Sequence, residues 1–368
     1  AFSGLGEILP FSGRDLKAEK IRDADALIVR SVTRVDAALL EHSSIRFVAS
    51  TSAGIDHIDQ EYLKARGIRL GYAPGCNADS VAEYVFTAMF VVAARRHWNL
   101  KRKSLAVIGV GNVGSRVAKK ARALGMETLL CDPPLRDATG DTRYVSFDEV
   151  LGADILTFHV PLVSAGPYPT RHMLDRGTLD RLSPEQFVIN TARGPVFDGG
   201  ALKAALQNGE IAGAVLDVWE DEPRLDYSLL DRVDIGTPHI AGSARDGKIR
   251  ATEMARDALC RFAGIQAPWD TRSFYPSSGV IRPKHGSEGQ DAVLSVLLQI
   301  LDLPKCDAEL RTFGALPRER AVTEFDRLRG EWMQRPEFRH FTVDLSGHGC
   351  DLTGAFSALG FKVPGSKP

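Results

Sequence analysis

Ser104-Leu105-Ala106-Val107-Ile108-Gly109-Val110-Gly111-Asn112-Val113-Gly114 decides how the rest of the chain is read. A short apolar run enters G-x-G-x-x-G, and Ser115 to Leu124 continues with a helical pattern. In that setting glycines 109, 111 and 114 permit a tight turn and close approach of backbone to a pyrophosphate. The N–H groups and dipole at the helix start favour phosphate. A lone G-x-G-x-x-G also serves ordinary turns; here the strand and helix around it make it a fingerprint. Thr128-Leu129-Leu130-Cys131 predicts the next strand, ending at Asp132 about twenty residues past the glycines, where an acid accepts ribose hydroxyls and repels a 2′-phosphate. The stretch therefore predicts a parallel α/β domain that takes NAD rather than NADP.

The alternation continues on both sides. Strands are predicted at 154–159, 187–190, 214–218 and 233–235, ending in Val160-Pro161-Leu162, Thr191-Ala192-Arg193-Gly194, Trp219-Glu220-Asp221-Glu222-Pro223 and Gly236-Thr237-Pro238-His239. A helix is expected at 201–208. Upstream, strands at 24–31, 45–50 and 68–72 alternate with helices at 35–41 and 59–65, which again implies a parallel sheet. The polar loops Arg30-Ser31 and Thr51-Ser52-Ala53-Gly54 follow two of these strands. Ligands bind at such ends, and ordinary loops look the same. Helices at 78–94 and 241–263 carry the chain between the two parts. Residues 266–290, rich in Pro, Ser, Gly and Arg, read as a boundary. Beyond them, helices at 292–303 and 322–333 and a strand at 340–345 make a small α+β module. The expected fold is two Rossmann-like doubly wound parallel-sheet domains plus that module. Its domains are 1–84 with 237–265 for substrate, 85–236 for NAD, and 266–368 at the C-terminal end.

Composition narrows the function. The 368 residues are 44% hydrophobic and 25% charged, with a formal net charge of -1, which gives no general attraction to nucleic acid or an anionic membrane. The longest apolar run, Tyr84 to Ala94, is too short to span a bilayer. Five scattered cysteines (76, 131, 260, 306 and 350) without a C-x-x-C pair suit neither a disulfide framework nor a zinc site. Reduced thiols, no metal and a cytoplasmic location are expected. The first residue is Ala1 rather than methionine, so a further segment is expected upstream.

Arg193, Glu222 and His239 stand just past three consecutive predicted strands. Taken singly, each passes for a surface arginine, a turn acid or a loop histidine. Taken together, at one edge of a parallel sheet beside a dinucleotide fingerprint, they suit hydride transfer at a 2-hydroxy acid. An arginine fork grips a carboxylate with two charge-assisted hydrogen bonds. A histidine accepts the hydroxyl proton near neutral pH, and a carboxylate beside it fixes the tautomer and stabilises the imidazolium. Asp217, inside an apolar strand, needs partners, and the nicotinamide ribose or amide is a candidate. His159 reads equally as a core histidine or a cofactor contact.

These motifs resemble the signatures of the D-isomer-specific 2-hydroxyacid dehydrogenases, in the right order, over roughly residues 20 to 263. The closest matches are Gly109 to Gly114, Asn190 to Gly194, Asp217 to Pro223 and Thr237 to Gly242. Val29-Arg30-Ser31-Val32-Thr33, Ala73-Pro74-Gly75-Cys76-Asn77-Ala78, Cys131-Asp132-Pro133-Pro134 and Phe325-Asp326-Arg327-Leu328-Arg329 resemble a narrower group. Its members act on a phosphorylated 2-hydroxy acid and carry an extra dimerisation domain. The resemblance implies catalysis by Arg193, Glu222 and His239. It implies cofactor contacts from Gly109, Gly111, Asn112, Val113, Gly114, Asp132, Val160, Thr191, Ala192, Asp217 and Gly242, and substrate contacts from Ser31, Ser52 and Ser243. At position 243 the family carries a tyrosine, so the hydroxyl here is shorter. Arg30 joins the substrate group as a cation suited to the phosphate. The resemblance also implies a strand and helix ahead of Ala1. A homodimer through the C-terminal domain is expected, helped by an apolar stripe at Leu294, Leu297, Leu298 and Leu301. Two other readings stand beside this one: a dehydrogenase of another D-2-hydroxy acid such as 3-phosphoglycerate, and a non-catalytic NAD(H)-sensing corepressor-like protein. Glu222 argues against a formate dehydrogenase, where the family pattern has glutamine.

Overall fold

The computed structural model describes residues 1–12, 16–348 and 352–364, so Cys350 lies outside the described residues. The chain divides into two compact units, Ala1–Asn77 with Arg245–Pro276, and Ala78–Ala244 with Ser277–Pro368.

In the first unit β1 (Ala26–Val29), β2 (Phe47–Ser50) and β3 (Arg69–Gly71) form a parallel sheet in that order. Short helices Ala37–Leu40 and Gln60–Ala65 connect them. Each starts where an aspartate, Asp36 or Asp59, accepts a hydrogen bond from an otherwise unpaired backbone N–H. The helix Arg245–Ala263 packs on the sheet and requires Gly71. A Cβ there would stand 2.7 Å from the Cβ of Ala258.

The second unit is built on six parallel strands: β4 (Ser104–Ile108), β5 (Glu127–Cys131), β6 (Ile155–Phe158), β7 (Phe187–Asn190), β8 (Gly213–Leu216) and β9 (Ile235–Gly236). Their spatial order is β5-β4-β6-β7-β8-β9. The order reverses at β4, so the switch point, where such sheets bind ligands, falls at the fingerprint. The strands β6, β7 and β8 are buried along their whole length, which explains their mostly apolar sequence. The helix Ala78–Arg96 is buried continuously from Ser80 to Ala93. Its apolar run is thus a core segment. Among the described residues no helix is long and apolar enough to cross a membrane.

Several elements differ from expectation for local reasons. The fingerprint helix begins at Asn112, inside the glycine motif, with Gly111 at its N-cap. The helix Gly199–Gln207 absorbs both glycines because Asp198 caps it. The helix expected from 241 starts at Arg245, because residues 237–244 form a loop. The pattern at 292–303 proves to be two helices, Gly289–Ile300 and Leu303–Thr312. Asp302 caps the second, with Pro304 in its first turn. The stretch 266–290, read as a boundary, contains β10 (Gly279–Ile281), which pairs in parallel with β11 (Phe341–Val343).

The C-terminal residues do not form a unit of their own. Val296, Leu297, Leu303, Phe325, Phe338 and Phe356 belong to the same core as Val107 and Ile189 of the large sheet. Of the apolar stripe, Leu297 and Leu301 are fully buried in this core, while Leu294 and Leu298 stay half-buried. A buried ionic cluster adds to the docking. Arg335 lies 2.7 Å from Glu83, which also accepts the Phe338 N–H at 2.7 Å, and the Ser80 hydroxyl donates to Glu337 at 2.7 Å. Burial pushes the Glu83 carboxyl up from 4.5 to about 7, with Arg335 opposing the rise.

Candidate active site

Each fingerprint glycine has a separate reason. Gly109 has φ +85°, and a Cβ there would stand 2.8 Å from the His159 carbonyl carbon. At Gly114 it would meet the Gly109 carbonyl oxygen at 1.9 Å. At Gly111 it would meet nothing within 4 Å, so this side of the turn is open. Close packing is thus confined to two glycines, and the open third one suits a pyrophosphate. Asp132 reaches back to the turn, accepting the Val110 N–H at 2.7 Å, and its other oxygen accepts the Leu135 N–H at 3.1 Å. One side chain therefore shapes the glycine turn and presents an acid at the end of β5. Val160 and Thr191 are half-buried and Ala192 is buried past the ends of β6 and β7. His159 lies beside them, its ring nitrogens 3.1 Å from the Thr157 hydroxyl and 3.3 Å from the Thr191 hydroxyl. Burial lowers its pKa to about 3, so it is a neutral hydrogen-bonding group.

The ends of β7, β8 and β9 are level, with Asn190 opposite Leu216 and Leu216 opposite Gly236. Buried Asn190 shapes the first loop, accepting the Ala192 N–H at 3.0 Å and donating to the Arg193 carbonyl at 2.9 Å. Gly194 then passes against the next loop, where a Cβ would fall 2.0 Å from the Trp219 carbonyl. Trp219 ties all three loops. Its backbone N–H reaches Glu222 Oε2 at 3.3 Å and its indole N–H donates to the Thr237 carbonyl at 2.9 Å.

His239 Nδ1 and Glu222 Oε1 are 2.5 Å apart. Burial alone would raise the Glu222 carboxyl. The His239 charge and hydrogen bond outweigh it, with Arg329 of the helix Arg318–Glu331 adding to them, and hold the group below the usual carboxylate range. His239 itself takes a left-handed backbone, φ 57°, which a residue with a side chain adopts only when its surroundings impose it. Those surroundings centre on Asp217. Its side chain accepts from the Thr237 hydroxyl at 2.6 Å, the Ile240 N–H at 2.7 Å and the Ala241 N–H at 2.8 Å, while its carbonyl accepts the His239 N–H at 2.7 Å. The Thr237 hydroxyl spends its one proton on Asp217, so the Tyr84 hydroxyl, 2.6 Å away, donates to it. Asp217 is fully buried, and burial raises its carboxyl to about 6 against these donors. Those three bonds tie Asp217, the candidate partner of the nicotinamide, to the loop that presents His239. Gly242 and Ser243 follow in the same loop, half-buried.

The expected substrate residues fall in the two units. In the first, Arg30 and Ser31 are exposed past β1, and Ser52 is half-buried, 2.6 Å from the Ser50 hydroxyl. Ser50 also meets His57 Nε2 at 3.1 Å. Lys248, in the helix Arg245–Ala263, is held below the usual lysine range by burial and by the Arg30 charge. Sequence reading missed Tyr84, Thr237, Trp219 and Lys248. Two of them, Trp219 and Thr237, stand in the quoted strings Trp219-Glu220-Asp221-Glu222-Pro223 and Gly236-Thr237-Pro238-His239, which gave neither a role. Among the described residues no group of three or more His, Cys, Asp or Glu side chains could hold a metal ion.

A six-stranded nucleotide sheet with an arginine, a glutamate and a histidine past three level strand ends defines the class: an NAD-dependent dehydrogenase of 2-hydroxy acids. The profile of the D-isomer specific 2-hydroxyacid dehydrogenase, NAD binding domain, matches residues 84–241. Among solved structures, D-lactate dehydrogenase from Aquifex aeolicus, complexed with NAD and lactic acid, aligns with a TM-score of 0.57 and 28% identity. The alignment covers 68% of this chain and 86% of that one. The erythronate-4-phosphate dehydrogenase of Klebsiella pneumoniae is 42% identical over 348 residues, 94% of this chain and 90% of that protein. That of Salinibacter ruber is 43% identical over 353 residues, 93% and 90% respectively. The chain belongs to the erythronate-4-phosphate dehydrogenases, within the D-isomer specific 2-hydroxyacid dehydrogenase family.

Proposed function

We propose that the protein oxidises 4-phospho-D-erythronate at C2 to 2-oxo-3-hydroxy-4-phosphobutanoate, a step toward pyridoxal 5′-phosphate. The observation that carries the chemistry is the 2.5 Å Glu222–His239 pair. Nδ1 is committed to Glu222, so Nε2 is left to take the C2 hydroxyl proton as the hydride departs. The Arg193 guanidinium grips the substrate carboxylate and polarises the C2 oxygen. The residues at the fingerprint edge fit a dinucleotide: the open face of Gly111 for pyrophosphate, Asp132 for the adenosine ribose, and Val160, Thr191, Ala192 and Gly242 along the strand ends. Bound there, NAD supplies the acceptor for the C2 hydride. In the reverse direction His239 returns the proton.

The names of the relatives support a phosphorylated substrate, and so does the neighbourhood of Arg30. Arg30 and Lys248 are cations close enough for one to lower the pKa of the other, and an anion bound by both relieves that repulsion. Ser31 and Ser52 in the first unit, and Ser243 in the second, are the hydroxyls assigned to substrate. Half-buried Leu294 and Leu298 support a homodimer through the C-terminal residues, which light scattering on the purified protein tests. The four cysteines among the described residues are buried and form no disulfide with one another, which fits a reducing, cytoplasmic setting. The direct test is NADH formation from NAD with 4-phospho-D-erythronate, 3-phosphoglycerate and D-lactate in parallel. A parallel assay runs backwards from a 2-oxo acid, in case bound NADH does not exchange. Preference for the erythronate ester supports the proposal. Preference for another acid keeps the class and overturns the substrate.

A further inference from the structure

We propose that Asp307 and Arg311, in the helix Leu303–Thr312, are positioning residues for His239. The inference rests on the reading of His239 as the proton acceptor. β9, the strand that delivers the His239 loop, is two residues long and lies at the edge of its sheet. An edge strand that short has few ladder bonds to hold it, and its outward N–H needs a partner once water is excluded. Here the Gly236 N–H donates to Asp307 Oδ1 at 2.7 Å, a buried bond one residue before Thr237. Arg311 then fixes both ends of the turn into β9. It donates to the Leu230 carbonyl at 2.6 Å and the Val233 carbonyl at 2.9 Å. The same guanidinium meets both Asp307 oxygens, at 2.9 and 3.0 Å for the shorter contact of each. A guanidinium fork can bridge two carbonyls and a carboxylate in one plane; a lysine cannot.

Gly236 itself is closely packed, since a Cβ would lie 2.2 Å from Leu230 and 3.0 Å from the Trp219 indole. The clamp therefore seats the strand against the tryptophan that also touches Glu222 and Thr237. From Gly236 the path to the catalytic ring is three residues of a loop pinned by Asp217. Asp307 and Arg311 thereby reach the chemistry through the backbone of β9.

A double-mutant cycle in the full-length protein tests this, with NADH formation from 4-phospho-D-erythronate as the readout. Arg311→Ala lowers kcat on the order of 10- to 100-fold with KM nearly unchanged, because a displaced proton acceptor costs rate rather than binding. In the His239→Ala background the same substitution has little further effect. An equal fold-loss in both backgrounds, or an unchanged kcat in Arg311→Ala, overturns the proposal. If Arg311→Ala does not fold, Arg311→Lys takes its place in the cycle and is judged by the same two outcomes. If His239→Ala alone keeps full activity, the reading of His239 fails instead, a result the cycle reports separately.

Discussion

The loop that presents His239 and the loop that carries Arg30 and Ser31 differ sharply in burial. Around His239 nearly every polar group has a named partner. Asp217 takes three donors, Thr237 passes one hydrogen bond on from Tyr84, and Trp219 joins three loops. Around Arg30 the side chains are exposed, and Lys248 stands close enough for like charges to interact. The difference suits the two tasks proposed for these residues. Proton transfer needs a ring held to a fraction of an ångström, so its support is buried and fully bonded. Recognition of a hydrated phosphate needs cations that a ligand can reach from solvent.

Four substitutions sharpen or break that contrast. Arg193→Lys keeps the charge and loses the fork, so kcat/KM falls about 100- to 1000-fold in steady-state assays. A loss under tenfold would put the carboxylate grip elsewhere. Asp217→Asn places an amide where three donors converge, and we expect kcat to drop about 10- to 100-fold. Thermal unfolding should show the loop weakened by about 1–3 kcal/mol. Lys248→Ala and Arg30→Ala should each raise KM about tenfold for the phosphorylated acid while leaving kcat close to wild type. Equal effects on an unphosphorylated 2-hydroxy acid would contradict the phosphate assignment.

The smallest effect concerns stability. The Glu83 carboxyl is raised from 4.5 to about 7 in the folded chain, so between those values the native state holds more proton than the unfolded one. Stability from this group is then greatest below pH 4.5, falls as pH rises toward 7 and levels off above it. Glu83→Gln should flatten that part of a denaturant-derived stability profile; an unchanged slope would assign it to other groups.

Much of this was readable in advance, and the reasons are physical. The strand, three glycines and Asp132 carry their signal locally, because turn, helix start and acid lie within one short βαβ segment. Arg193, Glu222 and His239 were readable because a parallel sheet brings successive strand ends to one edge. Asp217 was visible as an anomaly, an acid in an apolar strand, but its partners at 237, 240 and 241 depend on a loop no periodicity describes. Tyr84 could not be told from the other buried residues of its helix. The C-terminal residues misled for a similar reason. Their helical stripes were legible, but which core they joined depends on contacts such as Glu83 with Arg335, more than two hundred residues apart in sequence.

The central claim is that the His239–Glu222 pair moves the proton that accompanies hydride loss from C2. Single-turnover formation of NADH from 4-phospho-D-erythronate, in wild type and in His239→Ala with bound NAD monitored separately, tests it most directly. The account predicts a fall on the order of 100- to 10,000-fold in that rate with NAD affinity unchanged. A rate within a few-fold of wild type in the folded variant would contradict it.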